Sequence, residues 1–109
     1  MRTGICTVVY SGDEIGVDGG YTKLRYHNVW APEVGTAFGD AATQINTNLV
    51  LGKEVRYDPT GYLHWDNISI VVEVFVGEVW VNQEVRYWLA KQLAEKPEQL
   101  FPKYPAARP

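Results

Sequence analysis

Three charged residues, Asp13, Arg25 and Glu33, and a large aromatic set are where this sequence could carry chemistry. A strand arginine near a glutamate can position an anion, but the same two residue types are the ordinary ingredients of a structural ion pair, and Arg25 with Glu33 fits that plainer description. Asp13 follows Gly12, where a carboxylate can accept hydrogen bonds from the next backbone amides and act only as a turn residue. His27 and His64 are far apart, and neither stands at a metal-ligand spacing from Asp, Glu or Cys6. The sequence has no glycine-rich phosphate loop, no nucleophile elbow and no helix with a basic, nucleic-acid-binding face. Trp30, Trp65, Trp80 and Trp88, with Tyr57, Tyr62 and Tyr87, could stack on the bases of a single strand. Arg56 is the only basic residue near Tyr57 and Tyr62, however, and Asp58 and Asp66 bring opposing charge, so core or protein-interface roles outweigh base stacking. Ten Lys and Arg against 13 Asp and Glu give a net charge of -3, which leaves no cationic excess to displace counterions from a phosphate backbone. Nucleic-acid binding is expected to be weak at most.

Those residues need a scaffold, and the pattern around them is mostly β. Ile5 to Tyr10 is rich in β-branched and aromatic residues and runs into Ser11-Gly12-Asp13; Ile15 and Val17 form a short second strand ending at Asp18-Gly19-Gly20; Tyr21 to Trp30 is a third. From Phe38 the period becomes helical, with Ala41, Ala42, Ile45 and Leu49 on one stripe, Thr36 or Asp40 as caps and Gly52 as the stop. Lys53 to Tyr57 is strand again, Asp58-Pro59-Thr60-Gly61 reads as a turn, and Ile68 to Val76 alternates with Ile68, Ile70, Val72, Val74 and Val76 inward. After Gly77-Glu78 and Val79-Trp80-Val81, Asn82 can cap a second helix carrying Val85, Leu89 and Leu93, widened by Trp88 and Ala90. The predicted class is α+β, mainly β: a five-stranded OB-type barrel with helices over about 38–50 and 82–94. Its expected core is Val8, Ile15, Leu24, Val29, Ala42, Ile45, Leu49, Val55, Ile70, Val72, Val74, Val85 and Leu89.

A chain of 109 residues has room for one core, placed here over 1–96, with Pro97, Pro102, Pro105 and Pro109 marking 97–109 as a proline-rich tail. Cys6 is the only cysteine, so it reads as a small buried hydrophobe. No apolar run approaches the roughly 20 residues of a membrane span, and no leader is evident, which points to a cytoplasmic chain with no membrane partner.

Five local patterns, in order, resemble the staphylococcal nuclease-like domain family: Val8-Val9-Tyr10-Ser11-Gly12-Asp13, Leu24 to Glu33, Gly39-Asp40-Ala41-Ala42, Leu49 to Val55, and Gly77 to Val85. The resemblance spans residues 5–94 and implies an OB-type fold and calcium-dependent phosphodiester hydrolysis. It implies a metal-ligand role for Asp13, a phosphate contact for Arg25 and activation of water by Glu33. The family's second metal-binding aspartate falls at Trp30, the neighbouring carbonyl at Ala31, and the Tyr-Gly-Arg element with the second arginine aligns approximately with Trp65-Asp66-Asn67. An indole supplies none of the six to eight oxygens calcium wants. Losing a preorganised donor at the phosphoryl group costs about 3–4 kcal/mol of transition-state stabilisation. The chain therefore reads as a degenerate member: Arg25 and Glu33 vestigial, no cofactor expected, calcium only if the hydrolase reading holds.

The leading expectation is a protein-binding or assembly module. A weak or altered phosphodiesterase and a single-stranded nucleic-acid binder are the alternatives. Val71 and Phe75 lie on the strand face opposite Ile70, Val72 and Val74, so both faces need cover, either from helix one or the tail or from a partner. A homodimer or a partner protein, anchored by Phe75 with Trp65 or Trp80, is the expectation on this last reading.

Overall fold

β-Branched and aromatic runs separated by glycine-bearing reversals fold as expected into successive strands, with a helix interposed after the third. The elements are β1 (Arg2–Ser11), β2 (Glu14–Val17), β3 (Thr22–Tyr26), α1 (Ala37–Val50), β4 (Glu54–Leu63), β5 (Ile70–Val76), β6 (Val79–Trp80) and α2 (Val81–Glu95). The structure, a computed structural model, describes residues 1–63 and 69–95. The sheet order is β3-β2-β1-β4-β5-β6, with antiparallel neighbours throughout, and a parallel β3–β5 pairing through Leu24↔Ile70, Arg25↔Val71 and Tyr26↔Val72 closes it. Five strands thus make a closed mixed barrel of OB type, and the two-residue β6 is appended beside β5.

The barrel interior holds Ile15, Val17, Leu24, Tyr26, Val55, Tyr57, Val72 and Val74, while Ala42 and Val50 of α1 and Val81, Val85 and Leu89 of α2 join the same core. Of the residues expected inside, Val8, Ile45, Leu49 and Ile70 are only partly covered and the other nine are buried. Cys6 is completely buried, consistent with its reading as a small hydrophobe. Among the described residues no helix is long and apolar enough to cross a membrane.

Four local expectations are corrected. β4 does not stop at Asp58; it runs through Asp58-Pro59-Thr60-Gly61, and the pairing slips between Pro59↔Val72 and Leu63↔Ile70. A proline without an N–H and Gly61 at φ 89° interrupt a ladder as well as they make a turn, and here they make an irregularity within the strand. The buried face of α1 is Gly39, Ala42, Asn46 and Val50, one residue round from the apolar stripe. A Cβ on Gly39 would lie 1.8 Å from the Glu33 carbonyl oxygen, so the helix backbone presses directly on the β3–α1 loop, a contact only glycine permits. Thr36 is the N-cap, accepting from the Gly39 amide at 3.0 Å, whereas Asp40 accepts from the Gly35 amide at 2.9 Å. In α2, Asn82 is no cap: the helix already starts at Val81 and the Asn82 side chain is buried between strands. Ala90 is exposed, because it lies about 100° round the helix from buried Leu89. Ile68, the side chain of Leu93 and the tail 97–109 lie outside the described residues.

Candidate functional site

The β1–β2 turn is tight because Gly12 sits where a side chain cannot: a Cβ there would lie 2.7 Å from that of Ala42 and 2.8 Å from that of Ala31. That close approach carries Asp13 into the protein, where it is 2% exposed. Its Oδ1 accepts from the Ser11 hydroxyl at 2.7 Å, and its Oδ2 accepts from Arg25 Nη2 at 3.2 Å and from the Ala31 amide at 3.0 Å. Arg25 is positioned by the β2–β3 register, which sets it opposite Glu14, and its side chain is only 12% exposed. Asp13 and Arg25 therefore form a largely buried ion pair that also fastens the β3–α1 loop to the barrel. Glu33, the expected partner of Arg25, is exposed two residues beyond Ala31, and its carbonyl receives the Thr36 hydroxyl at 2.6 Å. Trp30 is 51% exposed beside this site.

On the outer face of β1–β3, where OB barrels commonly take ligands, the cations face carboxylates of the same chain. Lys23 Nζ is 4.0 Å from Glu14 and lies 4.9 Å above the Tyr10 ring, and Arg25 is held by Asp13. The calcium that the resemblance implies does not fit these residues: both oxygens of Asp13 are engaged, one by a guanidinium, and Trp30 offers no oxygen. Among the described residues no three His, Cys, Asp or Glu side chains come together as a metal set.

Beneath the turn, Tyr26 donates to Asn46 Oδ1 at 2.5 Å, and Asn46 Nδ2 donates to the Ser11 carbonyl at 2.9 Å. Burial pushes the Tyr26 phenol well above its ordinary value, with the nearby Cys6 and Asp13 adding to the rise, and burial likewise raises the Cys6 thiol. The unfolded chain releases these protons near pH 8.5 for cysteine and near pH 10 for tyrosine, while the folded protein still holds them. Their contribution to stability is complete below those values and is lost as pH rises beyond them, at about 1.4 kcal/mol per pH unit for each proton. Tyr26→Phe should flatten the loss above pH 10 and, by stranding Asn46 Oδ1, cost about 1–3 kcal/mol at pH 7. Urea denaturation from pH 7 to pH 11 reads both effects; an unchanged alkaline slope would show that Tyr26 is not its source.

A second cluster lies on the outside of β4, β5 and β6. Gly77 at φ 57° makes a two-residue hairpin that sets Val76 opposite Val79 and Phe75 opposite Trp80. The two rings lie 6.5 Å apart and 19° from parallel. Arg56, opposite Phe75 on β4, places its guanidinium 5.5 Å from the Phe75 centroid and donates to the Gly77 carbonyl at 2.7 Å. Arg86 of α2 lies 5.3 Å from the Trp80 centroid. Trp80 Nε1 donates to Glu73 Oε1 at 2.9 Å, and Glu73 Oε2 is 2.7 Å from His27 Nδ1. Arg56, Phe75, Trp80 and Arg86 thus form one continuous cation–aromatic row.

The structure therefore brings Asp13 together with Arg25, leaves the Glu33 side chain outside their pair, and unites Phe75 with Trp80; His64, Trp65, Asp66 and Asn67 lie outside the described residues. Arg86 and the Glu73–His27 pair escaped sequence reading. Arg56 stood out only as a neighbour of Tyr57, yet strand alternation puts those two on opposite faces. No protein-family model matches the chain, and no curated protein matches it.

Proposed function

We propose that this chain is a catalytically degenerate, nuclease-like OB barrel that serves as a protein-binding or assembly module through the outer face of β4–β6. The observation that carries the reading is the convergence of Phe75 and Trp80 on that face, flanked by Arg56 and Arg86. Aromatic and arginine side chains are the residues that most often anchor protein interfaces, since they bring large area at small entropic cost. Hydrolysis is disfavoured by the engagement of Asp13 and Arg25 with each other, which removes both an oxygen ligand and a free phosphate clamp. A single-stranded nucleic-acid ligand is disfavoured by the pairing of Lys23 and Arg25 with carboxylates and by Asp58 and Glu73 on the rung beside the aromatic row.

Light scattering after size exclusion should give a mass above the 12.3 kDa of one chain, and Phe75→Asp should return the mass to one chain without altering the far-ultraviolet spectrum. A single-chain mass for the native protein across the micromolar range would remove self-assembly from the reading. In parallel, single-stranded DNA and RNA in millimolar calcium should remain intact. Digestion that disappears in Glu33→Gln would establish the phosphodiesterase instead, and DNA binding that weakens as salt rises would establish the nucleic-acid binder.

A further inference from the structure

Charge on the β4–β6 face is arranged in an unusual way. Arg56 and Asp58 are two residues apart on β4 and exposed on the same face, yet they do not pair: Arg56 turns towards Phe75 and the Gly77 carbonyl. Asp58 stands directly across from Glu73, a like-charged cross-strand pair of the kind that destabilises a sheet. Glu73 is held by His27 and Trp80, and among the described residues Asp58 has no cation. Arg56 gives one N–H to the Gly77 carbonyl and another towards the Met1 sulfur, and of its five N–H donors the rest remain for a carboxylate. One rung therefore offers a cation with no carboxylate partner beside aromatic surface, and the next rung on the same face offers a carboxylate with no cation, both among the described residues.

Such a surface is complementary to itself. Resting on the reading of this face as a docking surface, we infer that its occupant is a second copy of this chain, related by a two-fold axis that passes between the Arg56–Phe75 and Asp58–Glu73 rungs. In an isologous contact, whatever one copy gives the other receives in return. Arg56 of one chain then meets Asp58 of the partner subunit twice, and the two Phe75–Trp80 pairs flank the axis and supply apolar surface on either side of it. Ile5, paired to Glu54 on the neighbouring rung, and Met1, whose sulfur is 3.8 Å from Arg56 Nη1, extend that exposed apolar surface on the β1 side. A stable contact of this kind needs about 1,000 Å² in total, and those flanks enlarge the face beyond the four-residue row. An acidic polymer such as nucleic acid fits the pattern less well, because it would have to cross Asp58 and Glu73.

The test is a charge exchange read by light scattering and by sedimentation. Arg56→Glu and Asp58→Arg alter exposed side chains, so each variant should fold as the native chain does by circular dichroism. Each should weaken self-association at least tenfold, since each sets two like-charged pairs across the axis. Mixed in equal amounts, the two variants should regain the dimer, because both cross-axis contacts are then between opposite charges; the double variant should also dimerise. A native dimer that neither single change weakens, or single variants that are not rescued by mixing, would overturn this two-fold arrangement while leaving the docking face standing. A native protein that stays monomeric at 200 µM by this assay (on the order of the concentration where weak contacts form) would overturn the second copy as occupant.

Discussion

Asp13→Ala is expected to destabilise the protein by about 3–5 kcal/mol, the usual cost of leaving a buried charge without its partner. Whole domains of this kind are stable by only about 5–15 kcal/mol, so the variant should sit at or near the edge of folding at 37 °C. The size follows from what the carboxylate does. Asp13 is buried, and Arg25 is close to it, so solvent screening offers little relief when one charge is removed. The Ala31 amide loses its acceptor in the same step, and that amide anchors the loop connecting β3 to α1. Arg25→Met in the Asp13→Ala background separates the two contributions. Removing the stranded guanidinium should recover part of the loss, leaving about 1–3 kcal/mol for the lost contact between Asp13 and the Ala31 amide. Urea denaturation of both single variants and the double variant gives the coupling directly. If the losses of the two single variants simply add in the double variant, the pair is not coupled and Asp13 acts through the loop contact alone. Were Asp13→Ala as stable as the native chain, the ion pair would have no structural role, and its presence at this turn would call for a functional one.

The barrel was legible because its signals are local. Val-, Ile- and Tyr-rich runs ending in Ser-Gly-Asp or Asp-Gly-Gly specify strand and reversal within a few residues, and the Gly77-Glu78 step determines by itself that Phe75 faces Trp80. What escaped were features settled by tertiary approach. Glycine carries no hydrophobic signal, so the periodicity of α1 could not register Gly39 and placed the buried stripe one residue round. Proline and glycine in β4 mark a break in the ladder, but the sequence does not say whether the chain reverses there or continues past an irregularity. Arg25 had a carboxylate nearby in sequence at Glu33, yet the register of β2 and β3 delivers it to Asp13. The same limit applies to the outer face: alternation separates Arg56 from Tyr57, but only the packing of α2 against β6 brings Arg86 to Trp80.

Asn82 is the residue whose role was read least well, and its replacement should have the second largest effect. An asparagine at the start of a helical pattern looks like a cap, because the same side-chain oxygen that satisfies a helix amide can satisfy any other amide. Here the oxygen accepts from Val74 N at 2.7 Å, while Nδ2 donates to the carbonyls of Val72 at 3.0 Å and His27 at 3.1 Å. The placement has a clear geometric origin. On the side of β5 away from β4, pairing with β3 ends at Val72 and pairing with β6 begins at Phe75. Val74 falls in the gap, and the Asn82 amide fills it as a one-rung substitute for a strand. Asn82→Ala leaves Val74 N buried without an acceptor and removes the Asn82 donor from the His27 carbonyl, whereas Val72 O keeps its bond from His27 N at 2.9 Å. The buried Val74 orphan together with the lost bond to His27 amounts to about 2–4 kcal/mol. Asn82→Asp retains the acceptor for Val74 but turns its second oxygen towards two carbonyls, so at neutral pH it should be no more stable than the alanine variant. Amide hydrogen exchange gives a local reading beside the global one from urea: Val74 N–H should lose protection by far more than the amides of β1 and β2. Uniform loss across the barrel would mean that Asn82 contributes to general packing and not to the closure between β3 and β6, and an Asn82→Asp variant of native stability would show that its two donor contacts carry nothing.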